Sequence, residues 1–320
     1  MGLVKIRSLL ATATVLVAVA SCGGTPREVA APIEPTDSFT PGAALPGNRP
    51  TETSIEVPSN LDDLVASANA NAGSVPDGPD RQVLGADASW PQCPKGMGIP
   101  QKKSKGAPMP TDAAEFVVLG LTNGPSFTPN PCLADQLEWV RDRGLMVAAY
   151  AVVSWPSEAQ LKTVGKKGPY DGATRLGALS NAGYQAALFT IGTMREAGLR
   201  TPAVWIDVEP VPDFEWSDDL EANAAVVEGT ARAYRDAGLR IGYYSVKSLW
   251  KRVVGDLRVN APEWRAAGQT SLATALGRCG QDWSFGGGHA VLAQWVEDGR
   301  DRNVTCPGYG GRLGEWFVRP

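Results

Sequence analysis

The sequence predicts an α/β chain folded as an irregular, TIM-like (β/α) barrel, a single domain that follows a disordered N-terminal stalk. Three observations predict it. From residue 84 onward, short runs of β-forming residues alternate with longer runs of helical period. The strand-like runs are nearly unbroken in apolar residues, as in parallel strands covered by helices. Seven such runs fit within residues 84–320, which favours a closed or nearly closed barrel over an open doubly wound sheet. No Gly-x-Gly-x-x-Gly turn follows the first run, which weighs against a dinucleotide-binding fold.

In chain order, the first segment is of a different kind. Lys5 and Arg7 precede the apolar run Leu9–Ala20, and small residues lead to Cys22. Basic, apolar and small-residue regions in that order make an export signal. The run falls short of the roughly 20 residues that cross a bilayer core of about 30 Å. Cys22 resembles the acceptor of a bacterial lipobox, whose thiol is diacylated after residues 1–21 are removed; an ordinary secreted protein cut nearby is the alternative. The expected location is the outer face of the cell membrane, anchored through lipid. Residues 22–83 are rich in Pro, Ala, Ser, Thr and Gly, with few large apolar side chains beyond Ile55, Val57, Leu61 and Leu64. Such a stretch cannot offset its chain entropy by burial, so it reads as a flexible stalk, with a short helix expected around Leu61 to Ala70.

The domain, residues 84–320, follows. Strands are expected at Leu84–Asp87, Phe116–Leu121, Met146–Val153, Ala203–Val208, Arg240–Tyr244, Glu263–Ala266 and Ala290–Trp295. Helices are expected at Leu133–Arg143, Thr174–Ala197 and Leu220–Ala237; Gly198 and Gly238 stand where a helix stop is common. Trp139 and Trp250, at helical spacing, read as core.

Charge and cysteine usage narrow the function. The net charge is −4, and removing residues 1–21 takes away Lys5 and Arg7 but no acid, leaving −6. The stretch Lys102-Lys103-Ser104-Lys105 is short and set among Gly and Pro, so it reads as a solvated loop and nucleic acid is not an expected partner. With Cys22 spent on lipid, Cys93, Cys132, Cys279 and Cys306 remain. In an exported chain they read as disulfides, with three connectivities open and the sequence-adjacent pairs favoured. His289 is the sole histidine and no Cys-x-x-Cys is present, so neither a zinc site nor any cofactor is expected. A monomer is expected.

The sharpest feature is Trp205-Ile206-Asp207-Val208-Glu209-Pro210. Strand side chains alternate, so Asp207 and Glu209 face one way. In an α/β barrel the C-terminal strand ends carry catalytic groups, and like charges held close raise a carboxyl pKa until it can act as a general acid. Asp87, ending the first strand, and Asp301, after the last, face the same mouth. Four acids lined by some of Trp90, Trp155, Trp205, Trp264 and Trp295 suit a sugar polymer. A solvated strand end without a task is the plain structural alternative.

These motifs together resemble the glycoside hydrolase family 25 lysozymes, muramidases built on an irregular barrel. Gly85, Asp87, Ser89 and Gln92 match the family's Gly-x-Asp-x-Ser-x-x-Gln. Asp207 and Glu209 match its Asp-x-Glu, Gly242-Tyr243-Tyr244-Ser245 its Gly-Tyr-Tyr-Ser strand, and Gln294, Trp295, Asp301 and Asn303 its closing motifs. The chain looks closest to the glycoside-hydrolase-like domains of actinobacterial envelope lipoproteins. The resemblance implies Glu209 as general acid, Asp207 assisting the substrate's 2-acetamido group, and Asp87 and Asp301 shaping the site. Trp90, Gln92, Asn123, Trp155, Tyr244, Gln294 and Trp295 would bind substrate, a cell-wall glycan such as peptidoglycan. Where the family has Lys-Ala-Thr-Glu-Gly, this chain has Gly120-Leu121-Thr122-Asn123-Gly124, which keeps a second reading open: a glycan-binding or scaffolding lipoprotein with the same groove. A third is a hydrolase holding Mg²⁺ or Ca²⁺ on the four acids.

Overall fold

A computed structural model describes residues 81–320. The signal segment, Cys22, the stalk up to residue 80 and its expected helix lie outside the described residues. No helix among the described residues is long and apolar enough to cross a membrane.

The strands are β1 (Leu84–Ala88), β2 (Gly98–Ile99), β3 (Lys102–Lys103), β4 (Phe116–Gly120), β5 (Met146–Val152), β6 (Ala203–Asp207), β7 (Arg240–Ser245), β8 (Glu263–Gln269), β9 (Ala290–Glu297) and β10 (Arg300–Thr305). The helices are α1 (Leu133–Asp142), α2 (Glu158–Val164), α3 (Arg175–Glu196), α4 (Leu220–Asp236), α5 (Lys247–Val254) and α6 (Leu272–Gly277). Eight strands close a barrel in the order β1-β10-β9-β8-β7-β6-β5-β4. All are parallel to their neighbours except β10, which runs antiparallel to both β9 and β1. The β2–β3 hairpin stands apart in the connection from β1 to β4. The expected barrel is therefore the one observed, with an eighth strand added.

Strand alternation sorts the core into two layers. Val117, Leu119, Val147, Ala149, Val204, Ile206 and Val208 face outward against the helices. Phe116, Val118, Ala148, Trp205, Trp264 and Leu292 fill the interior. Large rings fit there because small residues stand opposite them: a Cβ added to Gly85 would lie 2.3 Å from the Phe116 ring, and one on Gly242 2.2 Å from Trp205. Trp205 stacks on Trp316, and Phe317 packs on Phe116, at centroid distances of 4.7 and 4.6 Å. The C-terminal segment thus plugs the barrel, its Val318 exchanging backbone hydrogen bonds with Val147. With this end filled, the interior is open to chemistry only at the opposite mouth, where the strands end.

Both disulfides join the sequence-adjacent pairs, Cys93 with Cys132 and Cys279 with Cys306. The first ties the segment after β1 to the start of α1; the second ties the segment after α6 to the end of β10.

Candidate active site

Asp87 ends the inward face of β1, Asp207 ends β6, Glu209 follows it, and Asp301 lies on β10. All four line one cleft of about 210 Å³. Trp90, Gln92, Lys102, Tyr150 and the run Pro210-Val211-Pro212 complete its walls.

The Asp87 carboxylate is held from below. Its Oδ1 accepts hydrogen bonds from Gln294 Nε2 at 2.9 Å and Asn303 Nδ2 at 2.7 Å. Each amide is oriented in turn: the Tyr244 hydroxyl donates to Gln294 Oε1, and Trp264 Nε1 donates to Asn303 Oδ1. Strand register supplies this network, since Gln294 and Asn303 face each other across the β9–β10 pair and Gly85 pairs with Asn303 across β1–β10. Tyr244 and Gln294, expected to bind substrate, form the chain of hydrogen bonds that orients Asp87.

The β1 exit loop is set with equal care. Ser89 N–H donates to Gln92 Oε1, Gln136 Nε2 donates to Ser89 O, and Asn130 Nδ2 donates to Gly120 O. These bonds fix the turn that presents Trp90 to the cleft. Asn123 serves the hairpin: its Oδ1 accepts from Ile99 N–H and its Nδ2 donates to the Lys102 carbonyl.

The structure does not bring Asn123, Trp155 or Trp295 to the cleft. Asn123 is consumed by the hairpin, and Trp155 packs on the layer between sheet and helices. Trp295 neighbours Gln294 on a strand, so it faces the other side and packs with Val304 and Cys306. Trp205 and Trp264 are buried inside the barrel beneath the acids, which leaves Trp90 alone of the five expected tryptophans at the cleft. The solvated-loop reading of Lys102 is likewise corrected: it lines the cleft, its side chain only 13% exposed, and lies 3.6 Å from Asp213. Lys102 and Tyr150 are the cleft's polar side chains that sequence reasoning missed. Tyr150 could have been found by alternation from Met146 and Ala148; nothing local marks Lys102, which a long-range hydrogen bond delivers.

Burial dominates the electrostatics. It pushes the Asp87 carboxyl up to about 8, with Asp301 adding to the rise and the Gln294 and Asn303 donors opposing it. Glu209 is raised to about 7, first by burial and then by Asp301. Burial, then Glu209 and Asp87, holds Asp207 well above the usual carboxylate range, and burial also raises Asp301. The cluster therefore retains protons at neutral pH and can give one up to a leaving group. Asp207 Oδ1 is buried with no hydrogen-bond partner among the described residues. Leaving such an acceptor unpaired costs about 1–3 kcal/mol, so it is an open position for a donor on a bound molecule. No group of three or more Asp, Glu, His or Cys side chains able to hold a metal ion is found among the described residues.

A family model described as Lysozyme-like protein 1 matches residues 177–269, the stretch from α3 through Asp207 and Glu209 to β8. Among solved structures, the chain is similar to a family GH25 lysozyme from Aspergillus fumigatus, at 15% identity over 73% of this chain and 99% of that one, with a TM-score of 0.45. It is also similar to the lysozyme of Streptomyces coelicolor, at 13% identity, 73% and 97% coverage and a TM-score of 0.47. A muramidase from Acremonium alcalophilum gives 14% identity, 73% and 99% coverage and a TM-score of 0.45. No curated protein matches the chain.

Proposed function

We propose that this chain is a cell-envelope glycosidase hydrolysing peptidoglycan or a related N-acetylated wall polysaccharide, with Glu209 as general acid and Asp207 assisting. The observation that carries the reading is the pairing, in one cleft, of a Glu209 carboxyl raised to about 7 with an Asp207 Oδ1 that has no partner among the described residues. Glu209 protonates the glycosidic oxygen as its bond to the anomeric carbon breaks. The carbonyl oxygen of the sugar's own 2-acetamido group bonds to that carbon, and the acetamido N–H donates to Asp207 Oδ1. Water, losing its proton to the Glu209 carboxylate, then opens the ring intermediate and restores the acetamido group. Substrate assistance of this kind is a recognised exception to the scheme with a carboxylate nucleophile. Asp87, locked by two amides, and Asp301 polarise the site, and Trp90 offers a face for a sugar ring. We further propose that residues 1–21 export the chain and that lipid on Cys22 holds it at the outer face of the membrane, a reading supported by the order of basic, apolar and small residues there.

One observation favours the second reading, glycan binding without effective turnover. The cleft's 210 Å³, lined in part by Pro210-Val211-Pro212, is below the roughly 300–1,000 Å³ of most small-molecule sites. Digestion of purified peptidoglycan by the full chain and by Glu209→Gln, with products read by mass spectrometry, separates the two. Soluble sugar fragments from the native chain alone support the enzyme; no fragments from either, with both retained on the polymer, support the binder.

A further inference from the structure

The acidic cleft has a larger neighbour of a different character. A second cleft of about 560 Å³ opens beside the ends of β7 and β8, two strands along the rim from Asp207. Lys247, Lys251, Arg265 and Arg278 line it, together with Trp283 and small apolar residues, and none of its lining residues is acidic. In a chain of net charge −4 this is a concentration of positive charge in a concave surface.

Its parts are not equivalent. Arg265 is spent on the structure: its Nε donates to Glu263, and its Nη groups donate to the carbonyls of Arg278, Gly280 and Gly288. That buried hub, with Glu263 accepting from the N–H groups of Gly286 and Gly288, fixes the segment from Arg278 to Gly288. The segment in turn presents Trp283, 45% exposed, with the Arg278 guanidinium 3.4 Å from its ring centroid. Arg278 Nε is buried with no hydrogen-bond partner among the described residues. Lys247 donates a long bond of 3.4 Å to the Asp282 carbonyl. Lys251 lies 3.7 Å from Asp256 in a pair exposed on both sides, a contact too weak to withhold it from a ligand.

We propose that this cleft is a binding site for a carboxylate-bearing sugar, the acidic part of an extended glycan. Trp283 supplies the face on which a pyranose ring stacks, and Lys247, Lys251 and Arg278 supply the donors for its carboxylate. The choice of a sugar rests on the glycan reading of the acidic cleft; it does not require turnover there. A polymer crossing the rim meets two clefts of opposite sign, so its uncharged acetal enters the acidic one while its carboxylate is held in the basic one.

The test is titration calorimetry with the full chain, using a hyaluronan tetrasaccharide as the carboxylated N-acetylated probe, chitotetraose as its neutral counterpart, and inorganic phosphate. The carboxylated probe is expected to bind more tightly than the neutral one. The doubly exchanged Lys247→Glu/Lys251→Glu chain should weaken it at least tenfold, as should Trp283→Ala, while the charge reversal Lys166→Glu, outside both clefts, leaves it unchanged; all of these positions are exposed, and a melting curve checks the fold. Equal affinity for both probes, an unchanged affinity in the Lys or Trp283 variants, loss of binding in Trp90→Ala instead, or displacement by phosphate at the probe's own concentration would each overturn the assignment. Peptidoglycan digestion, run separately, reports on the acidic cleft alone, so the two readings fail independently.

Discussion

Burial raises both Asp87 and Glu209, but only Asp87 is also held by amide donors. Asp87 receives two amide donors on one oxygen and is nevertheless raised to about 8, because burial outweighs them. Glu209 is raised to about 7. In the unfolded chain both carboxyls titrate near 4. Folding therefore takes up protons between about pH 4 and the folded values, so stability falls as pH rises from about 4 and levels off once about 7 to 8 is passed. Thermal melts of the native chain should drop over that interval, and Glu209→Gln, which removes one such proton, should drop less. A native melting temperature that rose from pH 5 to pH 8 would contradict the raised values. Asn303→Ala should lower turnover about tenfold or more through Asp87 while sparing Trp90-dependent sugar binding; equal loss of both would make Asn303 a fold residue only.

At the scale of elements, the long connection after β8 depends on one buried pair. Glu263 and Arg265 are 0% and 2% exposed and share six backbone groups and one hydroxyl of the segment 278–288. Neutralising one partner strands the other's charge out of water, so Glu263→Gln should cost about 3–5 kcal/mol in denaturant unfolding. A loss under 1 kcal/mol would mean that the segment is held by its disulfide instead. The two disulfides close spans of 39 and 27 residues. Loop-closure entropy gives each about 4 kcal/mol. Reduction should therefore lower the melting temperature without altering the sheet, read as unchanged far-ultraviolet circular dichroism at 25 °C.

Across the whole molecule, what the sequence disclosed follows from the range of the forces involved. Seven parallel strands and the three long helices were legible because their apolar period is local. Helices Glu158–Val164, Lys247–Val254 and Leu272–Gly277 were not, being too short for period to speak. β10 was hidden because Arg300-Asp301-Arg302-Asn303 carries charge on both faces. Its one local signal is Asp298-Gly299, whose φ values of +52° and +67° suit a tight hairpin turn. Asp87, Asp207, Glu209 and Asp301 were legible as a set, since carboxylates at strand ends are few. The roles of Tyr244, Gln294, Asn123 and Trp295 needed strand register and face, and Lys102 needed the hairpin's docking onto Asn123. The central claim is that one mouth of a plugged barrel holds Glu209 protonated beside a sugar-binding Asp207. Its most direct measurement is the release of reducing ends from purified peptidoglycan between pH 5 and 9, by the native chain and by Glu209→Gln. The account predicts native release that falls about tenfold per pH unit above about 7, with the variant slower by about 10²–10⁴-fold below pH 7 and the gap narrowing as the pH rises; release that persists undiminished in the variant below pH 7 would contradict it.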